Sequence, residues 1–293
     1  MYEIIFFILV PFIALLYEGL LRKLNARFQN RIGPPIVQPF YDIIKLFKKK
    51  PFKTQNDPFY KYAPFLYFIS IYALFLFIPF SLISFQYDFV LLLYLTILAS
   101  AFYVLAGLSS DNPFGIVGSM REMILMIVYE ITLVIAIFNF IIRAGVLSFA
   151  DFQSSLMLFY LPISSIGLAI ISLVEVHITP FDTTEAPTEI MSGSRTEYSG
   201  RNLAFMNLSL FMKRLFFIFL MPLLLFGKDL AVLIPLSIVF LFLYTLCQVT
   251  TPRYRVDQAF KAYFYVMIFV LIEFVLISFN FDILSLVRGI IWV

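Results

Sequence analysis

Eight stretches of this sequence are apolar over lengths close to the roughly 20 residues a helix needs to cross a bilayer. They are 2–21, 63–85, 89–108, 121–142, 160–178, 209–226, 230–250 and 262–280. Charged residues make up only 13% of the chain and apolar residues 62%, where a soluble domain would be about a quarter charged. The mean hydropathy is +0.96. The fold class that follows is an all-α membrane protein with eight transmembrane helices. No stretch is polar enough to form a separate domain, so residues 1–293 read as a single polytopic unit. The first stretch holds Glu3 and no Lys or Arg before Arg22; it lacks the positive leading region of a signal peptide and reads as a true span.

Threading eight spans places all but Arg143, Lys228 and Arg288 of the 21 lysines and arginines on one side. The positive-inside rule makes that side cytoplasmic. The expectation is a multi-pass protein of the cell membrane with both termini outside.

Cys247 is the only cysteine and His177 the only histidine. One thiolate cannot hold an iron–sulfur cluster, and one imidazole cannot give a bis-histidine haem. The acids lack a calcium-loop spacing, so no metal site and no cofactor bound by this chain are expected. A net charge of +3 points to no nucleic-acid partner.

Within this apolar background the polar residues stand out. In the first cytoplasmic loop, Gly33-Pro34-Pro35 breaks any helix. After it, Gln38 to Lys48 sets Phe40, Ile43, Ile44 and Phe47 apart from Asp42, Lys45 and Lys48. That spacing predicts an amphipathic helix at the membrane interface. It reads either as a surface anchor or, through Asp42 and Lys45, as a docking element. Glu130 falls about halfway along the fourth span, where an ionised carboxylate costs at least ~2.5 kcal/mol. Glu273 lies in the last span, and Glu18 near the cytoplasmic end of the first.

The densest polar stretch runs from Glu175 to Gly200, directly after the fifth span, and carries Glu175, Asp182, Glu185, Glu189 and Glu197. Asp182 and Glu185 have capping-box spacing for a short helix. Asp182, Glu185 and Glu189 would share one face of it, with Pro187 disturbing its first turn. Repulsion and burial favour protonation of some acids so placed, which suits them to taking up and releasing protons. The plainer reading is a solvated acidic loop. Arg195 and Arg201 flank Glu197, and Arg253 and Arg255 form a basic patch in the last cytoplasmic loop. These groups either neutralise the acids or contact a partner.

Five motifs occur in order along the chain. They are Gln29–Pro34 with Gln38-Pro39 and Asp42–Lys45; Arg121 with Tyr129-Glu130; Glu175 with Pro180-Phe181-Asp182, Glu185-Ala186 and Glu189; Thr196–Gly200; and Pro252–Arg255 with Asp257. Together they resemble the eight-helix membrane subunit of respiratory complex I that adjoins the peripheral arm, its membrane subunit 1 or H-type subunit. Counterparts occur in membrane-bound, energy-converting nickel–iron hydrogenases and related archaeal complexes. Three departures favour that hydrogenase-like branch over quinone reduction. The Gly-Pro segment between Arg31 and Gln38 is contracted, His177-Ile178 stands where an Asn-Arg pair is usual, and Pro187 replaces a third acid of the loop.

The resemblance implies a non-redox subunit of an oxidoreductase, with no catalytic centre of its own. Its partners would be a cytoplasmic nickel–iron-type large subunit, an iron–sulfur small subunit and antiporter-like membrane subunits, with all clusters and the nickel–iron-type site in those partners. It further implies a proton path through Glu130, Glu175, Asp182, Glu185, Glu189 and Glu197. Partner docking would fall to Arg31, Asp42, Lys45, Arg195, Tyr198, Arg201, Arg253, Arg255 and Asp257. The alternatives are a quinone-chamber subunit, a stand-alone solute carrier and a plain membrane anchor.

Overall fold

The computed structural model describes residues 2–51, 58–80, 82, 84–149, 152, 157–184, 191–227 and 229–279. Among these the regular structure is helical throughout. The helices are α1 (Tyr2–Phe28), α2 (Gln38–Lys48), α3 (Pro58–Leu74), α4 (Asp88–Leu108), α5 (Pro113–Ala144), α6 (Met157–Tyr160), α7 (Pro162–Glu175), α8 (Gly200–Phe226), α9 (Leu230–Thr250) and α10 (Val256–Ser278). A single 3-10 turn spans Gly193–Arg195. Six of the helices, α1, α4, α5, α8, α9 and α10, are long and apolar enough to cross a membrane. The chain is a multi-pass membrane protein.

The centre of the fold is α8. From Leu208 to Leu225 only Ser209, Lys213 and Arg214 interrupt its apolar surface, and nearly all of it is buried. A helix without a polar face is stable only where other elements cover it all round. Here α1, α2, α3, α7 and α9 do so. The outer faces of the surrounding helices are apolar as well. Ile8 and Phe12 of α1, Ile127 and Ile131 of α5, Ile234 and Ile238 of α9, and Phe269 and Ile272 of α10 are all exposed. Apolar exposure on this scale requires a lipid surround.

Helix ends fall where local chemistry puts them. Asn112 accepts from the Phe114 amide at 2.9 Å and Pro113 opens α5, an N-cap followed by proline. Gly145, in the left-handed region at φ 69, closes the same helix. Hydropathy misplaced several ends. The stretch read as 209–226 begins as a helix at Gly200, so Lys213 and Arg214 lie well inside α8 and not near its end. The stretch 121–142 starts at Pro113, and 2–21 continues to Phe28. Conversely, 63–85 ends its helix at Leu74 and passes into tight turns before Pro79. The stretch 160–178 contributes the 14-residue α7, opened by Pro162 and ended at Glu175.

At 14 residues, α7 is about 21 Å long. Its first amides therefore need an acceptor from elsewhere, and Glu273 of α10 supplies it. The Glu273 carboxylate accepts from Ile163 N at 3.2 Å, from Ser164 N at 2.5 Å, and from the Ser164 hydroxyl. Asn139 of α5 donates to the same hydroxyl at 2.6 Å and to Val270 O at 3.2 Å. This acid is a structural tie between α10, α5 and α7.

The described residues 193–198, which follow α7 in the chain, pack closely against α4 and α5. Gly193, at φ 54, lies against Gly118 of α5, and a side chain there would meet Thr184 O at 2.2 Å. Ser194 Oγ is 2.9 Å from Ser119 Oγ. Tyr198 is buried, donates to Ala106 O at 2.8 Å and stacks on Tyr60. The short helix expected over Glu185 and Glu189 lies outside the described residues.

Candidate functional site

Two lines of charge meet where α8 crosses the end of α7. The first begins on α2. Asp42 accepts from Arg22 Nη1 at 2.8 Å, Arg22 Nε reaches Glu18 Oε1 at 3.1 Å, and Glu18 Oε2 receives Arg214 Nη1 at 2.7 Å. Arg214 Nε also donates to Val176 O at 3.4 Å. Glu18 is buried and bound by two guanidinium groups. The chain of pairs ties α2 and α1 to α8 and the end of α7.

The second line starts one residue away on both helices. Lys213 Nζ stands 2.5 Å from Glu175 Oε2, with both side chains buried. The ammonium also approaches Ser100 Oγ of α4 at 3.4 Å. Glu130 of α5 sits beside Ser100 and within the field of Glu175, Lys213 and Glu122. Both Glu130 oxygens are buried. Two turns earlier on α5, Glu122 accepts from Tyr129 Oη at 2.6 Å, and His177 Nε2 lies 3.9 Å from the same Glu122 oxygen. His177, at φ 51, turns back against Tyr103 directly after α7 ends.

Glu175 and Glu130 thus flank one buried lysine, and Glu122 lies close by with Tyr129 and His177. A buried ion pair is stable only if its charges are matched, and surplus carboxylates in such a place hold protons or draw a cation. His177 adds a second basic group at the Glu122 end. The arrangement is suited to passing a proton or a charge imbalance between helices. Its members come from α4, α5, α8 and the end of α7. No group of three or more His, Cys, Asp or Glu able to hold a metal occurs among the described residues.

The expected site residues divide. Glu130 and Glu175 come together around Lys213. Asp182 instead accepts from Arg253 Nη2 at 2.7 Å, so an expected proton carrier and an expected docking residue bond to each other. Glu197 receives Asn112 Nδ2 at 2.9 Å, and its backbone carbonyl receives Tyr60 Oη at 2.9 Å. Arg195 donates to Asn207 at 3.1 Å. Arg31, Lys45, Arg201, Arg255 and Asp257 are exposed, while Tyr198 is buried within the chain. Glu185 and Glu189 lie outside the described residues. Sequence reasoning missed Lys213, Glu122 and Arg214. The signal was available for Lys213 and Arg214, two adjacent cations four and five residues into an apolar run, which call for buried counter-charges.

Comparison with known proteins agrees with this architecture. Residues 2–279 match the NADH dehydrogenase family. The H-type subunit of the NADH-quinone oxidoreductase of Carboxydothermus hydrogenoformans is 35% identical over 199 residues, 62% of this chain and 57% of that one. Hydrogenase-4 component C of Escherichia coli is 32% identical over 64% of this chain and 63% of its own length. The chain therefore spans less than two thirds of these two bacterial relatives. NADH-ubiquinone oxidoreductase chain 1 of Mytilus edulis is 28% identical over 85% of this chain and 88% of its own length. A chain from the membrane-bound sulfane sulfur reductase, an archaeal respiratory membrane complex, superposes with a TM-score of 0.84 at 26% identity. That match covers 94% of this chain and 97% of the other. The chain belongs to the NADH dehydrogenase family, homologous to the H-type subunit of the NADH-quinone oxidoreductases and to component C of hydrogenase-4.

Proposed function

We propose that this chain couples electron transfer in a cytoplasmic iron–sulfur and nickel–iron-type module to proton or sodium movement by antiporter-like membrane subunits. The single observation that carries the reading is Lys213 buried against Glu175 beside Glu130. A charge change at the docked module shifts the balance along the Asp42–Arg22–Glu18–Arg214 line. Lys213 and Arg214 are consecutive on α8, so the shift reaches the Glu175–Glu130–Glu122 cluster, whose protons then move. Asp182, Glu185, Glu189 and Glu197 extend the path toward the cytoplasmic face. In this reading eight helices span the cell membrane, α3 and α7 among them, α2 lies at the interface and both termini face out.

The test is purification of the native complex from its own membranes. Iron–sulfur and nickel–iron-type subunits are expected to co-purify with antiporter-like subunits, and ferredoxin is expected to serve as electron donor without quinone reduction. Robust quinone reduction would assign the chain to a quinone chamber. Purification as a lone chain that transports a solute in liposomes would make it a carrier.

Docking has its own expected result. Asp42→Ala removes the partner of a half-exposed arginine, a loss of about 1 kcal/mol or less, so the membrane part stays folded. Retention of the peripheral subunits on native gels is expected to fall while the membrane subunits stay together. A complex of normal composition would count against α2 as the docking element.

A further inference from the structure

A hollow of about 310 Å³ opens at the start of α10, lined by Arg121, Thr183, Arg253, Tyr254, Arg255, Val256 and Asp257. Three of these side chains are guanidinium groups drawn from two separate parts of the chain. Arg253 already holds Asp182, but its Nε is buried and has no hydrogen-bond partner among the described residues. The buried Thr183 hydroxyl lines the same hollow and is likewise unpartnered among them. The first amides of the 23-residue α10 begin at Val256 on its wall, and the N-terminal end of a helix favours anions. Among the described residues two acids oppose this: Asp182 bonds to Arg253, and Asp257 stands exposed at the rim.

The hollow does not end there. Val256 and Asp257 also line an adjoining groove of about 520 Å³, whose other residues are Ile124, Phe260 and Lys261. Ile124 of α5 and Phe260 of α10 are exposed, at 50% and 38%. Both lie about one turn further into helices that cross the membrane. A basic, partly enclosed pocket thus runs directly into an apolar furrow open to lipid.

We propose that this is a binding site for an anionic phospholipid, its phosphate between Arg121, Arg253 and Arg255 and an acyl chain along Ile124 and Phe260. The combination selects a lipid over a free anion, because a free anion has no use for the furrow. The site also selects against zwitterionic headgroups, whose added cation would meet the arginines and Lys261. The inference rests on the membrane-spanning placement of α5 and α10 and is independent of the ion-coupling reading.

The test uses the intact complex in nanodiscs containing a photoreactive phosphatidylglycerol or, separately, a photoreactive phosphatidylcholine, with the labelled peptides mapped. The glycerol lipid is expected to label the segments around Ile124 and Phe260, and the choline lipid much less. Each basic group near a membrane surface favours an anionic lipid about five-fold, so Arg121→Gln with Arg255→Gln should lower labelling roughly twenty-fold. Ile124→Trp, which keeps every arginine and fills the furrow, should remove it too. Should the double substitution prevent assembly, Ile124→Trp and the headgroup comparison decide alone. Equal labelling by the two lipids, or labelling unchanged in the variants, would overturn the proposal. So would loss of label on adding inorganic phosphate alone, which would make this a free-anion pocket. A peripheral protein cross-linked at 253–261 in place of lipid would make it a protein contact.

Discussion

Replacing Lys213 by Met is expected to deplete the assembled complex, and replacing Glu175 by Gln in the same chain is expected to restore it without restoring ion movement. Removing one partner of a buried ion pair leaves the other charge uncompensated, at a cost of roughly 3–5 kcal/mol. Glu175 is fully buried and Lys213 nearly so, so little water reaches the orphaned carboxylate. Neutralising both partners removes the penalty, and Met and Gln fill most of the lost volume. Yield and thermal unfolding of Lys213→Met, Glu175→Gln and the double variant therefore form a double-mutant cycle with strong coupling. Ion movement in vesicles separates two meanings of the pair. If it only holds α8 to α7, the double variant regains both stability and coupled ion movement. If its charges take part in the relay, stability returns and coupling does not. A double variant that pumps normally would reduce the pair to scaffolding.

This pair also marks the boundary of what the sequence makes legible. Apolar run length located every long helix, because burial in lipid and in protein both demand continuous hydrocarbon. It could not tell a lipid-facing helix from a protein-buried one. That is why α8, the most enclosed helix, had its first two turns assigned to a loop, and why Lys213, inside the run, was not recognised as a buried charge. Charge counting by side treats each lysine as solvated, and Lys213 is the one for which tertiary contacts from α7 and α4 replace water. Glu130 was legible because a carboxyl in mid-helix contradicts its surroundings. Glu122 was not, because it follows Arg121 at what hydropathy took for a helix end, and only the full length of α5 shows it to be inside. The pairing of Asp182 with Arg253 joins residues 71 positions apart, beyond any spacing rule. Glu273 was visible as an anomaly, but its purpose depends on α7 being short, which hydropathy alone had extended to residue 178.

The Glu130→Gln substitution is expected to leave the complex assembled and to reduce coupled ion movement by about ten-fold or more, since a positioned proton-transfer group contributes on the order of 10²–10⁴ to its step. Glutamine keeps the shape and polarity of the side chain and removes only the ability to hold and release a proton. Ser100 is the polar neighbour of the Glu130 carboxyl, and a glutamine can still accept a hydrogen bond from it, so the change removes no bond the fold depends on. Glu273→Gln is the matched control, because it too neutralises a buried acid on a membrane helix. Its carboxylate, however, is fully engaged by Ile163, Ser164 and the α7 terminus. Losing charge-assisted bonds there should lower thermal stability, by about 1–3 kcal/mol, with ion movement per assembled complex unchanged. The pair of variants thus separates a buried acid that ties helices together from one proposed to carry a proton beside a buried lysine. If Glu130→Gln moves ions at the normal rate, or if Glu273→Gln uncouples the complex as strongly, that distinction fails and the relay must be sought elsewhere.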